Sequence, residues 1–380
     1  MNNFHCFMLW CCCIVTLATT THAQDNRRSL YTSFTPLGFT PDARAAGLGN
    51  AGTATAPTAN AIFWNPGKIV FNENRFGASL NYTTWDREFS SNTSHTSLAT
   101  YYKLSDKQAI SLSVRYFDYG RFEFFLPPTN ALNSFRLADL SYSLAYSRKL
   151  GKNWGLGITG RLMHARSFIN STNITVVSLG SNSTSFAFDA GVFHQKSLSI
   201  AGKSAQWNLG LSIVNFGPKT SHTTNNFDNF IPITLRIGSA LSTQLSSDSK
   251  LTWAVDISKL MVPTPPVINT QTGIINGQFP HQKPLLGGAL GAFGDAPGGF
   301  SEEMQEIIWA TGLEYQWKNR FSIRAGYHYE HENKGNQSYV TLGAGASAKN
   351  FSLDLSYLMN VEKNEFQPTE RLRISLGYGI

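Results

Sequence analysis

The chain has 380 residues and carries 31 Lys and Arg against 24 Asp and Glu, a net charge of +7. That length makes one large domain or two ordinary ones. The basic residues are dispersed and form no aromatic–basic module, which excludes nucleic acid as a partner and favours an anionic membrane surface.

Residues 1–23, MNNFHCFMLWCCCIVTLATTTHA, read as a secretory signal peptide: an apolar core over 7–18 leads to small residues and a Thr21-His22-Ala23 cleavage pattern before Gln24. The n-region lacks Lys and Arg. A lipid anchor on Cys11, Cys12 or Cys13 is disfavoured because Leu-Trp precedes them where small residues are usual. All four cysteines (these three and Cys6) lie inside this segment. The exported chain is therefore expected to have no disulfide and no thiolate metal site.

Residues 24–74 do not alternate. The run DARAAGLGNAGTATAPTANAIFWNPGK is rich in Gly and Ala and carries Pro57 and Pro66; a small-residue segment of this kind ahead of a barrel folds back into the lumen as a plug. Gly47-Leu48-Gly49-Asn50-Ala51-Gly52 matches the dinucleotide-binding glycine spacing, but no buried strand precedes it and a proline follows within five residues. Tight small-residue packing is the better reading.

From residue 75 onward, segments of about ten residues alternate apolar and polar. SLSVRYF (111–117) places Leu112, Val114 and Tyr116 on one face and Ser111, Ser113 and Arg115 on the other. LSYSLAY (140–146), FSLDLSYLM (351–359) and LRISLGYGI (372–380) repeat the pattern. Period two specifies strands, and nothing after Ala23 approaches the ~20 apolar residues of a membrane helix. The pattern predicts about fourteen strands, near 75–85, 94–104, 108–119, 139–150, 154–168, 184–196 and 206–216 in the first half. The second half gives 233–245, 250–260, 305–317, 321–331, 337–348, 350–361 and 370–380. The number is even, as in single-chain bacterial outer-membrane barrels.

The connections alternate too. Tight turns at 105–107, 151–153, 246–249, 318–320 and 349–350 are interleaved with longer loops at 120–138, 169–183, 217–232 and 261–304, while 332–336 is short for its side. Short turns on one rim and long loops on the other are the asymmetry of an outer-membrane barrel, periplasmic and extracellular respectively. The polar phase of the strands holds Arg115, Arg161, Arg236, Arg324, Arg371 and Arg373 together with Asp189, Asp256, Glu314, Glu330 and Asp354. The apolar phase is charged only near strand ends, as at Arg148 and Lys259. Lipid does not solvate charge, so the polar phase faces a lumen, and both signs there predict a network of ion pairs. A β-sandwich also alternates, but it requires neither the even count nor the rim asymmetry. The expectation is an all-β transmembrane barrel of antiparallel strands over 75–380, with its plug at 24–74.

Chemistry-bearing motifs are sparse. Gly202-Lys203-Ser204 lacks the earlier glycine of a phosphate loop, where Ser197 stands. In His328-Tyr329-Glu330-His331-Glu332, a strand places His328 and Glu330 on one face and His331 on the other, so a metal site does not converge. No compact hydrolase signature is present. The stretch FGDAPGGFSEEMQEIIW (293–309) crowds Asp295, Glu302, Glu303 and Glu306 behind two glycines. Ser301 is placed to cap a helical turn carrying Glu302 and Glu303, and the stretch reads either as a local fold anchoring the long loop to the wall or as a docking surface.

Several stretches, in order, resemble one family. TPDARAAGLGNAGTATAPTANAIFWNPGKIVF resembles the N-terminal signature of the PorV family, outer-membrane components of the type IX secretion system of Bacteroidetes. YYKLSDKQAISLSVRYF and AYSRKL are similar to its middle; DAPGGFSEEMQEIIWATGLEY, AGYHYEHENKGNQSYVTLGAG and the last strand are similar to its C-terminal third. Gly67 stands where the family commonly has alanine. A sister family, PorQ, shares part of the N-terminal pattern, but KGNQSYVTLGAG and DAPGGF lean towards PorV.

The resemblance implies a FadL-like barrel of fourteen strands whose plug motif comprises Asp42, Arg44, Gly47, Gly49, Trp64, Asn65 and Pro66. It implies no catalytic residues, cofactor or metal, and an outer-membrane location with both termini periplasmic. The implied partners are the C-terminal signal domains of secreted cargo, the giant translocon barrel (SprA/Sov), the attachment complex of the sortase PorU with PorQ and PorZ, and outer-membrane lipid. The implied function is a shuttle that binds cargo at the translocon and delivers it to the sortase. Phe293, Asp295, Phe300, Glu302 and Glu303 are the expected contacts, and Arg115, Arg161, Asp189, Arg236, Asp256, Glu314, Arg324 and Asp354 the expected lumen network. The alternatives are a FadL-like transporter of a hydrophobic small molecule and a lipid-A-modifying barrel enzyme.

Overall fold

Lipid on one side and a filled lumen on the other give each strand one apolar and one polar face. In the computed structural model, which describes residues 28–84, 93–126, 131–170, 182–221, 227–269, 273–361 and 372–380, those strands close into a barrel. The signal-peptide reading of 1–23 and the charge at Arg371 lie outside the described residues. The first nine strands are β1 (Phe76–Thr84), β2 (Ser94–Ser105), β3 (Gln108–Leu126), β4 (Ala131–Leu150), β5 (Trp154–Asn170), β6 (Ser183–Ile200), β7 (Lys203–Phe216), β8 (Thr234–Gln244) and β9 (Ser249–Leu260). A hairpin of β10 (Val267–Asn269) and β11 (Gly273–Asn276) stands apart in the long loop. The wall resumes with β12 (Ile307–Trp317), β13 (Phe321–Tyr329), β14 (Ser338–Ala348), β15 (Phe351–Asn360) and β16 (Leu372–Gly379).

Every wall strand pairs antiparallel with its sequence neighbour, β9 pairs with β12 across the loop, and β1 closes on β16 from Gly77↔Gly379 to Thr84↔Leu372. The wall has fourteen strands. Leu112, Leu144, Ile158, Leu162, Ile237 and Ile323 are exposed on its outer face, whereas Ser113, Ser143, Thr159, Arg161 and Arg324 are buried on the inner one. No described helix is long and apolar enough to cross a membrane. On the outer face the Trp207 and Trp253 indoles donate to Ser239 and Thr311 on adjacent strands, at 3.0 and 3.1 Å, so their polar tips have partners where lipid offers none.

Residues 28–75 cross the interior from one rim to the other. Arg28 donates its backbone N–H to Asn333 in the β13–β14 connection, and Phe76 at the far end exchanges backbone hydrogen bonds with Ile380. The first described residue and the last therefore lie at opposite rims. The crossing segment is a chain of short helical turns: 3-10 helices at Thr35–Gly38, Ala59–Phe63 and Pro66–Phe71, and α1 at Ala43–Ala46. Its apolar side chains Ile62, Phe63, Ile69, Val70 and Phe71 form a core with inward Ala99, Tyr101, Ala109, Ala145 and Phe193 of the wall.

Candidate functional site

The crossing segment has few backbone partners of its own, and buried N–H and C=O groups must find some. The wall supplies them. Arg115 donates to the carbonyls of Pro36 (2.8 Å), Leu37 (3.2 Å) and Phe39 (2.9 Å). Asp256 accepts the N–H groups of Gly52 and Thr53 at 2.9 and 2.8 Å. Arg236 donates to the Phe63 carbonyl and lies over the Trp64 ring. Three of the eight expected network residues thus hold plug backbone rather than one another.

The remainder form ion pairs. Arg44 clasps Glu314 with two hydrogen bonds (3.0 and 2.9 Å), Glu314 also takes Arg324 at 2.6 Å, and Arg324 reaches Asp354 at 2.7 Å. Arg161 pairs with Asp189 at 2.7 Å, beside a register shift between β6 and β7. There Asp189 also accepts the Asn215 N–H at 2.7 Å, in place of a ladder bond.

Within the plug, Asp42 caps α1 through the Ala45 N–H and accepts the Trp64 indole N–H at 2.8 Å. The Asn65 side chain accepts the Gly67 N–H and donates to the Val192 carbonyl, at 2.9 and 2.8 Å, next to Pro66. Gly47 and Gly49 lie against β13 and β14: a Cβ on Gly49 would sit 2.5 Å from the Tyr327 carbonyl oxygen, and one on Gly47 3.2 Å from the Gly343 Cα. Gly67 meets a similar limit, with its missing Cβ 2.7 and 2.8 Å from the carbonyl oxygens of Gly191 and Gly155. Alanine at this position requires the wall to yield.

The long loop is a folded insertion. After β11 come α2 (Leu285–Gly291) and α3 (Phe300–Gln305). Gly299, with φ 72°, occupies the N-cap of α3 and no side chain caps it, so Ser301 does not have the expected role; Glu302 and Glu303 do lie in its first turn. These carboxylates face inward. Glu302 takes Arg28 (2.9 and 2.5 Å) and Lys334 (2.6 Å), and Glu303 takes Lys259 (3.0 Å). Glu306 takes Lys259 and Lys334 at 2.6 and 2.8 Å and the Thr264 hydroxyl at 2.6 Å. Asp295 pairs with Lys283 at 2.5 Å. Burial works to raise the Glu302 carboxyl, but Arg28, Lys334 and the Gly298 N–H together hold it below the usual carboxylate range.

The expected contact residues differ in exposure. Glu302 and Glu303 are 5% and 7% exposed, whereas Phe293 and Phe300 are 49% and 78% exposed. Leu286, Leu290 and Met304 are exposed on the same insertion and had no signal in the sequence beyond their apolar character. Lys259, expected at a lipid-facing strand end, is buried under the insertion. Beneath, a cavity of about 350 Å³ is bounded by Leu30, Thr32 and Phe39 of the crossing segment and by Trp64, Arg236, Glu306, His328 and Tyr339. At the short-turn end, a second cavity of about 540 Å³ is lined by amides such as Gln195, Gln206, Gln244 and Gln316. Among the described residues no cluster of three or more His, Asp or Glu is placed to hold a metal.

One family model, described as "Type IX secretion system protein PorV", matches residues 22–267. No curated protein matches the chain. Among solved structures, the chain is similar to the deltaS2 mutant of the TodX monoaromatic hydrocarbon channel, at 12% identity, TM-score 0.52, over 91% of this chain and 100% of that one. It is similar also to the TodX deltaS2S3 mutant, at 12% identity, TM-score 0.50, over 88% and 97%. A Pseudomonas aeruginosa FadL homologue matches at 12% identity, TM-score 0.47, over 90% and 99%. At these identities the likeness is one of fold.

Proposed function

The chain belongs to the PorV family of type IX secretion system proteins, and from that premise we propose that it binds the C-terminal signal domains of secreted cargo and passes them from the translocon to the surface attachment complex. It is an outer-membrane component of that system, with a FadL-like barrel. The observation that carries the finer reading is the apolar surface of the insertion: Leu286 and Leu290 on α2, Phe293 in the turn after it, and Phe300 and Met304 on α3 are exposed. Buried ion pairs fix α3 to the wall, and α2 is seated by Ala289 and Leu285 in the apolar cluster with Phe230 and Val262. Large exposed apolar side chains on a rigid support suit protein recognition, since little ordering is lost on binding.

In this reading Asp295, Glu302 and Glu303 shape the surface from below, and Phe293 and Phe300 touch the partner. The translocon barrel and the sortase complex with its companions are the neighbours between which the cargo moves; no catalytic step is assigned to the chain itself. Affinity capture of the detergent-solubilised protein from its own outer membrane tests the reading. Secreted proteins retaining their signal domain, with the translocon or sortase, are the expected catch. A barrel recovered alone with a hydrophobic ligand would turn the assignment to transport.

A further inference from the structure

The six tight turns of the wall each carry a lysine in the turn or at its edge: Lys107, Lys152, Lys203, Lys250, Lys318 and Lys349. Taking each turn with the two strand residues on either side, eight Lys and Arg face only Asp106 and Asp248. The opposite rim is different in kind. There Arg28, Lys259, Lys283 and Lys334 each pair with a carboxylate of the insertion. Among the described residues, salt bridges join residues of the lumen and of the loop rim, and none involves the eight basic groups of the turns. These turns thus carry eight basic groups against two carboxylates, and no described salt bridge engages them.

Two further features place this charge. The turns follow one another around a closed wall, so Lys107, Lys152, Lys203 and Lys318 are spread around the rim rather than clustered on one flank, while Lys250 and Lys349 line the cavity inside it. Exposed aromatic side chains lie at the same end: Tyr102, Trp154, Trp317, Phe321 and Phe351. Lys318 sits 4.8 Å from the Trp317 ring centroid, and Arg75 5.3 Å from that of Tyr102. Aromatic girdles mark the level where hydrocarbon gives way to headgroups, so the lysines stand just beyond it, at phosphate depth. Basic residues there are attracted by anionic lipid.

We propose that the short-turn rim binds anionic phospholipid headgroups of the phosphatidylglycerol type around its whole circumference. The inference rests on the membrane reading of the barrel, and rim asymmetry assigns these turns to the periplasmic leaflet. A single protein partner would be met on one side, and a ring of charge is not fitted to that geometry. Phosphodiester oxygens accept from several ammonium groups in turn, and the contact with Trp317 holds Lys318 at that depth.

The test uses the whole protein and the variant K107Q/K152Q/K203Q/K318Q, which leaves the cavity-lining Lys250 and Lys349 intact. Both are placed in mixed phosphatidylcholine–phosphatidylglycerol bilayers, and the lipid retained on partial detergent extraction is measured by mass spectrometry. The native protein is expected to retain phosphatidylglycerol preferentially, with that preference falling on the order of fivefold or more in the variant and with added salt. Insertion and heat-modifiable migration should not change. Equal retention of the two lipids by the native protein, or an unchanged preference in the variant, overturns the proposal. So does stronger retention of lipid A through the same lysines, which would move the contact to the other leaflet, or salt-sensitive capture of a periplasmic protein without lipid preference. Failure of the native protein to enter bilayers at all would instead refute the membrane reading.

Discussion

Gly312 of β12 and Gly326 of β13 are directly opposed in the ladder, and the backbone of Leu48 and Gly49 occupies the hollow they leave. A Cβ on Gly312 would lie 2.6 Å from the Leu48 Cα. The arrangement recurs twice. Gly157 and Gly191, paired between β5 and β6, receive Asn65 and Pro66, and Gly210 and Gly238, paired between β7 and β8, receive Thr53. Facing glycines are therefore the sockets in which the plug is seated. Gly312→Val should unseat the 47–50 stretch at a cost of about 1–3 kcal/mol, seen as faster proteolysis within residues 28–75, while the barrel itself still shows heat-modifiable migration. Equal proteolysis rates would refute the socket role.

The Arg44–Glu314–Arg324 pairing predicts an asymmetry between its members. Glu314→Gln removes the one carboxylate shared by Arg44 and Arg324, leaving Arg44 without an ion pair and the buried Arg324 with Asp354 alone; breaking a buried pair from one side costs about 3–5 kcal/mol. Arg44→Met leaves Glu314 still paired with Arg324 and should cost less. Thermal unfolding of the two variants in one detergent checks the order; a larger loss for Arg44→Met contradicts it.

Glu302 supplies a pH dependence. Its carboxyl is held below the usual range in the folded chain, so its stabilising contribution is fully present above the ordinary glutamate pKa, about 4.3. The contribution is lost as pH falls from there through the lower folded value. Protease cleavage within 261–304 should accelerate as the native protein is acidified across that window, and Glu302→Gln should flatten the curve. A variant with the native acid response would exclude Glu302 as its source.

Surface and support also separate in the insertion. Leu290→Ser with Phe300→Ser should abolish partner capture while leaving the loop as protease-resistant as before, because both side chains are exposed. Charge reversal at Glu302 and Glu303 is expected to do more: it opposes Arg28, Lys259 and Lys334, so the insertion itself should become protease-sensitive. Capture lost in the second variant with the loop intact would return the carboxylates to the contact surface.

The wall strands were legible because lipid imposes a period of two wherever it touches the chain. Beyond the bilayer that constraint lapses. The run at 108–119 marks only the lower part of β3, which continues to Leu126, and β4 begins at Ala131 rather than 139. The inward glycines carried no signal that they meet in pairs, because the pairing depends on register. The carboxylates of 295–306 were visible as a cluster, but their inward direction was not. It depends on Lys259 and Lys334, which the sequence places on a strand end and in a short connection, and which meet only when the loop folds back.

The chain enters the barrel beside Arg28, runs through the lumen and turns directly into β1, the strand that seals against β16. Such a segment is flanked by the wall on all sides, with its large rings Phe63, Trp64 and Phe71 locked against wall side chains. Threading it through a finished cylinder would require those rings to pass the sockets one after another. The geometry therefore calls for a cylinder that closes around a segment already in residence, with the interior as the mandrel on which the wall is wound.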